Sequence, residues 1–291
     1  MADKEVELLH VAAPKWDGDL LRFDMVTAAG HYTPYFKCEM LTLTSSIEAS
    51  LLMALLAAMR EGTRLTVGAP VSGTLLQNIN ELSRVFSTWF SEYQVMETPE
   101  AETYLAASEP TGRVGSFFTG GVDSFYTFIK HQAEITDLIY VHGYDLQLDD
   151  YERRHAITEM GRSIAAQAGI RFIEIETDSQ KLFTSFGHWG TQSHGIALGV
   201  AGRLLAGSVD KIYVPSSFAQ EDLMPWGSHP DTDPLLSDER LQFVHDGCEA
   251  SRVEKIEAIK DSPWPWLISG CAGSGSRVPT TAGSVRNACV P

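Results

Sequence analysis

The stretch FFTGGVDSFYTF, residues 117–128, decides the fold predicted for this chain. An apolar run ends at Gly120 and Gly121, and an Asp-Ser pair then begins an amphipathic segment. This order predicts a strand, a glycine turn and a helix, because two glycines permit a tight turn and the first amides of a helix lack partners within it. Such a junction is typical of an anion site at the first turn of a helix.

Strand-like and helix-like segments alternate from Arg113 onwards. RVGSFF, DLIYVHGY, RFIEIETD and KIYVPSS are typical of strands, and helices are predicted after Asp123 and over YERRHAITEMGRSIAAQAG and SHGIALGVAGRLLAG. Gly169 and Gly207 are expected to cap the last two of these helices. The alternation predicts an α/β domain over residues 113–265, with a Rossmann-like parallel sheet and helices on both of its faces.

Residues 1–96 have a different pattern, which predicts a smaller α+β domain. Short strands are expected at VELLHV, LLRFDMVTA, YTPYFKCEML and RLTVGAP. Ser45 and Glu48 are spaced as a capping box at the start of a helix, and a second helix is expected between Leu75 and Phe90. The acidic segment 97–112 has no period and is expected to be a linker. This N-terminal domain is a candidate for forming a homo-oligomer or for binding a partner protein.

Composition excludes some classes of function. The net charge is −16, from 38 acidic and 22 basic residues, which argues against a general nucleic-acid surface. The apolar run LLMALLAAM, residues 51–59, is too short to span a bilayer, and the charged start of the chain lacks a signal segment. A cytoplasmic protein without a membrane partner is therefore expected. The four cysteines form no CxxC pair and are expected to be reduced thiols.

Polar residues follow three of the predicted strands, and parallel sheets bind ligands beyond the carboxyl ends of their strands. This rule selects residues 119–124, 144–150 and 216–218. Thr119 and Ser124 offer hydroxyl groups, and Asp123 offers a Mg²⁺ ligand or a helix cap. The spacing is neither Walker A nor G-x-G-x-x-G, and the loop has no lysine for a γ-phosphate.

The loop resembles the S-G-G-x-D-S signature of the PP-loop ATP pyrophosphatases, with Thr119 in place of the first serine. The resemblance implies ATP cleavage between the α- and β-phosphates, with pyrophosphate held by the loop and AMP left on a substrate carbonyl or carboxylate oxygen. A nitrogen or sulfur nucleophile then displaces AMP. ATP and Mg²⁺ are the implied cofactors. The implied nucleotide-binding residues of the loop are Thr119, Gly120, Gly121, Val122, Asp123 and Ser124.

Residues 113–259 look most like the 7-cyano-7-deazaguanine synthase family. This resemblance implies an adenine site at Tyr144 and Asp145, and catalytic roles for Asp123, Ser124 and His194. Each residue also has a purely structural alternative, such as a helix cap or a strand-end hydroxyl. The residues expected to contact the acceptor substrate lie at a strand end and in the following loop, and are Ser216, Ser217, Gly227, Ser228, His229 and Asp233.

The tail, residues 266–291, does not match this family. The synthases end in a cysteine followed by C-x-x-C-x-x-C that binds zinc, and Cys271 with Cys289 cannot form such a four-ligand site. Codons shifted to start at the third base are compatible with three cysteines at zinc spacing and a fourth upstream. A frameshift is therefore our hypothesis, with Zn²⁺ expected only for an intact cluster and a disordered tail expected here.

The function expected from the sequence is that of an ATP-dependent ligase that adenylates a small-molecule acceptor and transfers nitrogen to it. One alternative is a non-catalytic ATP- or AMP-binding module or partner subunit. Another is a sulfur-transferring PP-loop enzyme, which the acidic flanks of Cys248 disfavour. A P-loop kinase or GTPase is disfavoured because Gly-Lys-Ser/Thr is absent.

Overall fold

A computed structural model describes residues 8–104, 109–260 and 262. Within these residues the chain is α/β, with one large mixed sheet and seven α-helices. The helices are α1 (Ile47–Glu61), α2 (Gly73–Trp89), α3 (Val122–Lys130), α4 (Tyr151–Ala168), α5 (Gln180–Phe186), α6 (His194–Arg203) and α7 (Arg252–Ile259). No helix in this described part of the chain is long and apolar enough to cross a membrane.

Five parallel strands form one part of the large sheet, and four of them were predicted. In chain order they are β10 (Val114–Phe117), β11 (Asp137–His142), β12 (Arg171–Thr177), β13 (Lys211–Pro215) and β14 (Gln242–Asp246). Their order across the sheet is β14-β13-β10-β11-β12. Every residue of β11 is buried, as is usual for a parallel strand covered on both faces. The strand β14 is additional to the four predicted from the sequence.

The sheet continues beyond β12 with strands from the start of the chain, which makes it mixed and not purely parallel. The added strands are β6 (Tyr35–Lys37), β3 (Leu20–Arg22) and β2 (Lys15–Asp17), all antiparallel. Smaller two-stranded sheets pair β1 (Leu8–Val11) with β7 (Arg64–Val67), β4 (Met25–Thr27) with β5 (Gly30–Tyr32), and β8 (Val71–Ser72) with β9 (Thr103–Tyr104).

Two hydrophobic cores cover the parallel strands. One contains Phe125 of α3, Leu138 of β11 and Ile164 of α4. The other contains Ile139 of β11, Val200 of α6 and most of α1. Neighbouring residues of β11 thus enter different cores, because successive side chains of a strand point to opposite faces. The first part of the chain shares both this sheet and this second core, while the predicted domain boundary stays a prediction.

Several local expectations need correction. Ser46, and not Ser45, caps α1, since its side chain accepts a hydrogen bond from the amide of Ala49. Gly169 caps α4 as predicted, with a φ of 70°. Gly207 does not cap α6, because that helix ends four residues earlier, at Arg203. The expected linker 97–112 contains the short strand β9, which pairs with β8.

Candidate functional site at the carboxyl ends of the parallel strands

The glycine loop, residues 119–124, joins β10 to α3 as predicted. Gly120 has a φ of 76°, in the left-handed region that favours glycine. Gly121 is the N-cap residue of α3, and no side chain caps this helix. The amides of its first turn therefore stay available to a ligand at the positive end of the helix dipole.

Asp123 neither caps α3 nor keeps a free carboxylate. Its Oδ2 is 3.1 Å from the guanidinium of Arg252, and its Oδ1 is 3.1 Å from the ammonium of Lys255. Lys255 is only 1% exposed and also donates to the carbonyl oxygen of Ser216 at 2.6 Å. Both cations belong to α7. The loop itself contains no lysine or arginine, and the positive charge beside it comes from α7, near the C-terminal end of the described residues.

The other loop residues divide between the ligand side and the core. Thr119 and Ser124 line a cavity together with Asp123. The hydroxyl of Ser124 donates to the carbonyl oxygen of Gly121 at 2.9 Å, so it already has an acceptor. Val122 lies in the hydrophobic core beneath the loop, and its predicted contact with nucleotide would involve only its backbone.

The cavity beside this loop has a volume of about 310 Å³. That lies at the lower end of the range of small-molecule sites, about 300–1,000 Å³. Residues from three strand ends, α6 and the loop after β13 meet there, as the rule for parallel sheets predicts. The predicted site residues that line it are Thr119, Asp123, Ser124, Tyr144, Asp145, His194, Ser217 and Ser228.

Tyr144 and Asp145 follow β11 and line the cavity in different ways. Tyr144 is buried, and its hydroxyl donates to the carbonyl oxygen of Ala197 at 2.9 Å. Its ring centroid is 5.1 Å from that of Trp189. Solvent reaches Asp145, yet the protein around the cavity raises the pKa of its carboxyl group, and only the charge of His194 opposes this. Asp145 is therefore the polar group of this pair that is open to a ligand.

His194 is the first residue of α6, as predicted from its sequence. Its Nδ1 is 3.2 Å from the carbonyl oxygen of Trp189, which fixes the proton on Nδ1 and leaves Nε2 as an acceptor. Burial lowers the pKa of His194, against the opposing charges of Asp233 and Asp145. The imidazole is consequently neutral at neutral pH and able to take up a proton.

The two serines after β13 have different surroundings. Ser216 is buried, and its hydroxyl donates to the carbonyl oxygen of Phe218 at 2.8 Å and accepts from the Cys248 thiol at 3.3 Å. It shapes the strand end and does not line the cavity. Ser217 does line it. The predicted acceptor contact can therefore be kept for Ser217 alone.

In the loop after β13, one hydroxyl lines the cavity, and the other polar groups form hydrogen bonds that stabilise the loop. Ser228 lines the cavity and donates to Asp233 at 2.6 Å. The buried Asp233 carboxylate also accepts from the amide of His229 and, at 2.7 Å, from Nδ1 of His245. Asp233 and His229 are therefore internal supports, not the acceptor contacts predicted.

Gly227 is required by close packing between this loop and α6. A Cβ atom at Gly227 would lie 2.5 Å from Nδ1 of His194, and one at Gly195 would lie 1.9 Å from the carbonyl oxygen of Gly227. Two glycines thus let the loop cross the start of α6. Gly227 therefore allows the loop backbone to pack closely on α6, a role that differs from the substrate contact predicted for it.

Aromatic side chains that the sequence reasoning did not select form the remaining walls. Trp189 and Trp226 both line the cavity, and their ring centroids are 6.3 Å and 6.1 Å from that of His194. Trp189 begins a short π-helical turn, Trp189–Ser193, directly before α6. Such π-helical turns are frequent at functional sites. The arrangement offers flat faces to a planar ligand.

Two wider grooves lie away from the glycine loop. One, of about 610 Å³, is lined by N-terminal residues that include Trp16 and Val26. The other, of about 580 Å³, lies beside α4 and is lined by Arg154, Arg162 and Glu174. The charged groups of the second groove are largely paired with one another. Neither groove is lined by the glycine loop, so the smaller cavity remains the candidate site.

In the described part of the chain, no group of three or more His, Cys, Asp and Glu side chains could hold a metal ion. The predicted zinc site falls on the tail, which lies outside the described residues, as do Cys271 and Cys289. Both oxygens of Asp123 are ion-paired, and its role as a Mg²⁺ ligand stays a prediction. Comparison with family models, curated proteins and solved structures yields no match to this chain.

Proposed function

We propose that this chain binds ATP in the cavity and uses it to adenylate a small-molecule acceptor, as an ATP-dependent ligase. The observation that carries the proposal is the uncapped start of α3 at the edge of the cavity, with Arg252 and Lys255 beside it. Free amides and a helix dipole favour a multiply charged anion such as pyrophosphate, and the two cations, which are paired with the single carboxylate of Asp123, leave a net positive charge beside the loop.

The arrangement of the sheet supports the same proposal. Five parallel strands with a core on each face are what a Rossmann-like nucleotide-binding unit would require, and the cavity is at their carboxyl ends. The T-G-G-V-D-S loop joins a parallel strand to a helix, which is where the resemblance to the PP-loop ATP pyrophosphatases implies that pyrophosphate is held. We therefore propose membership of that superfamily, with a likeness to the 7-cyano-7-deazaguanine synthases.

The proposed reaction has two steps. An acceptor carboxylate or carbonyl oxygen attacks the α-phosphorus, the bond from that phosphorus to the bridging oxygen of the β-phosphate breaks, and pyrophosphate leaves with the electron pair. An amine nitrogen then displaces AMP from the acceptor and loses a proton. Both steps depend mainly on positioning and charge stabilisation. The loop amides, Arg252 and Lys255 would supply these to the pyrophosphate.

His194 is proposed to receive the proton that the amine loses. Burial lowers the pKa of its imidazole, which keeps it neutral with Nε2 available as an acceptor, the state that a general base requires. Mg²⁺ is proposed to arrive with ATP as its counterion, and Asp123 is given no metal-binding role. Trp189 and Trp226 would stack on the adenine or on a planar acceptor.

Nitrogen transfer is favoured over sulfur transfer by the state of Cys248. Burial raises the pKa of this thiol, and the thiol is the donor in its contact with Ser216. A sulfur carrier requires a reactive thiolate. The protonated state of the Cys248 thiol therefore supports nitrogen transfer.

A nucleotide-binding module without turnover is the second candidate. It is favoured by the polar groups already engaged within the chain, namely both oxygens of Asp123 and the hydroxyl of Ser124. In this alternative the same anion site holds ATP or AMP, and no chemical step follows.

Calorimetric titration in Mg²⁺ with ATP, pyrophosphate and AMP tests the proposal. We expect ATP and pyrophosphate to bind at least about tenfold more tightly than AMP. Thr119→Val, in the cavity, should weaken binding, whereas the exposed Thr88→Val on α2 should not. Failure of both ATP and pyrophosphate to bind would contradict the proposal. Adding ammonia and a panel of carboxylates then separates an enzyme, which forms AMP, from a module, which does not.

A further inference from the structure

The first part of the chain contacts the cavity walls from outside. Trp89, the last residue of α2, packs edge-to-face on His229, with ring centroids 4.8 Å apart. Tyr93, a few residues later, donates its hydroxyl to the carbonyl oxygen of Phe186 at 2.9 Å. The same hydroxyl lies 3.3 Å from Oε1 of Gln192. One short segment, residues 89–93, thus contacts both the loop after β13 and the π-helical turn.

The contacts to the π-helical turn are polar, and they are buried at Tyr93 and partly buried at Gln192. The side chain of Gln192 donates to Glu92 at 2.6 Å and accepts from the amide of His188 at 2.7 Å. Tyr93 is 3% exposed, and a Cβ atom at Gly187 would lie 2.4 Å from its hydroxyl. Because a buried polar group without its partner is costly, this network fixes the turn in one arrangement.

The π-helical turn carries two of the cavity's walls. It begins at Trp189, and the residue after its last one is His194, which bonds back to the carbonyl oxygen of Trp189. On the other side, His229 adjoins Ser228, the hydroxyl of the loop that lines the cavity. A shift of residues 89–93 would therefore move Trp189, His194 and Ser228 together.

The far end of the same loop is also held by α2. Ser72 and Thr74 donate to the carboxylate of Glu239 at 2.7 and 2.6 Å, and Asn78 donates to the carbonyl oxygen of Ser237 at 2.9 Å. These contacts come from the N-cap and the first two turns of α2. Support for the loop thus comes from a segment that the synthase resemblance does not cover.

We infer that Trp89, Glu92 and Tyr93 form a clamp that positions the Trp189–His194 wall and Ser228. The N-terminal part of the chain then sets the shape of the side of the cavity on which the acceptor would bind. The clamp is a property of the protein without nucleotide, and only its link to the acceptor rests on the proposed function. These three residues are positioning residues that act through Gln192 and His229.

The test uses the full chain and a matched pair of tyrosine variants. Tyr93→Phe removes the clamp hydroxyl. Tyr35→Phe removes another hydroxyl of the N-terminal part, which bonds Glu176 at 3.0 Å away from the cavity. The readout is the titration of the His194 ring by NMR without nucleotide. The charged groups near this ring are Asp145 and Asp233, and both are unchanged in the variants.

We expect Tyr93→Phe to raise the pKa of His194 by roughly half a unit or more, because a loosened wall admits water. Tyr35→Phe should leave it unchanged. Glu92→Ala serves as a second variant on a more exposed residue and should shift His194 in the same direction. In fluorotryptophan-labelled protein, the Trp189 resonance, assigned with Trp189→Phe, should move in the two clamp variants only.

A purely structural role for Tyr93 predicts a different result. The melting temperature would fall while the His194 titration and the Trp189 resonance stayed as in the wild type, and that outcome would overturn the clamp. Failure of the proposed function looks different again. In that case ATP and pyrophosphate do not bind to the wild type, while the clamp variants still shift His194.

Discussion

The ammonium of Lys255 lies 3.1 Å from Oδ1 of Asp123 and 2.6 Å from the carbonyl oxygen of Ser216, and so connects the glycine loop to the end of β13. The ammonium itself is buried, and a buried charge is stable only when it is paired. A residue of the last described helix therefore stabilises the turn on which the proposed anion site depends. This contact would link the stability of the fold to the proposed binding of nucleotide.

Removing the Lys255 charge should affect both properties. Lys255→Met leaves Asp123 with Arg252 alone, and we expect a loss of about 3 kcal/mol in the free energy of unfolding. ATP affinity should fall at least about tenfold. Lys130→Met is the control, since Lys130 pairs with Asp246 away from the cavity. Wild-type ATP affinity in Lys255→Met, measured by calorimetry, would remove Lys255 from the site.

Two glycines with similar backbone angles separate strain from binding. Gly120 has a φ of 76° and Gly207 a φ of 87°, so alanine at either position should cost about 1 kcal/mol of stability. Gly120→Ala should also weaken ATP binding, because it distorts the loop and displaces Met160. Gly207→Ala has open space around it and should bind ATP normally. Equal ATP affinity in the two variants would argue against the loop as the phosphate site.

Asp233 should be far more important to stability than its neighbour Asp231. In Asp233→Asn an amide replaces one of the oxygens that accept from Ser228, His229 and His245, so a donor is left facing a donor. We expect a loss of about 2–3 kcal/mol. Asp231→Asn, on a largely exposed side chain, should change stability by less than about 0.5 kcal/mol. Urea unfolding of both variants measures this, and coincident midpoints would refute the assignment.

Acid should destabilise the protein in part through Glu174. Burial opposes the ionisation of this carboxyl group, but hydrogen bonds from His142, Thr158 and Arg162 outweigh it and lower its pKa to about 2. Since the unfolded value is higher, the carboxylate stabilises the fold above about pH 4.5 and loses this effect as the pH falls toward 2. The loss is at most about 3 kcal/mol.

Unfolding at a series of pH values tests this prediction. The stability of Glu174→Gln should depend less steeply on pH between about 4.5 and 2 than that of the wild type. The exposed Glu159→Gln, on the same helix as Thr158, serves as the control and should follow the wild type. Parallel curves for the wild type and Glu174→Gln would show that Glu174 does not contribute to the acid transition.

The parallel part of the fold could be predicted because its signals are local. Apolar runs, the glycine turn at residues 120–121 and the amphipathic segments each lie within a few consecutive residues. The added strands β2, β3 and β6 have three residues each, too few for a period to show which sheet they join. Their pairing depends on contacts between distant parts of the chain. A mixed sheet was accordingly not predicted.

The candidate site was predicted in outline only. Thr119, Asp145 and Ser217 were selected because they follow strands, His194 because it begins a helix, and Ser228 because it lies in a long loop that mixes aromatic and ionisable residues. Lys255 was missed because its partner Asp123 is 132 residues away, although a capping box at Ser251 and Glu254 could have indicated α7. Which hydroxyl of the Ser216-Ser217 pair faces the cavity depends on tertiary packing, and no local sequence pattern predicts it.

The antiparallel joint between β6 and β12 has a consequence for biosynthesis. Tyr35 bonds Glu176 across 141 residues, so the early strands leave the ribosome long before the strand on which they will dock. At about 5–20 residues per second this delay is roughly 7 to 30 s. During that interval Leu21 and Phe36, which are buried in the folded protein, lack the strand that later pairs with theirs, and a chaperone that holds the nascent chain should raise the yield of folded protein.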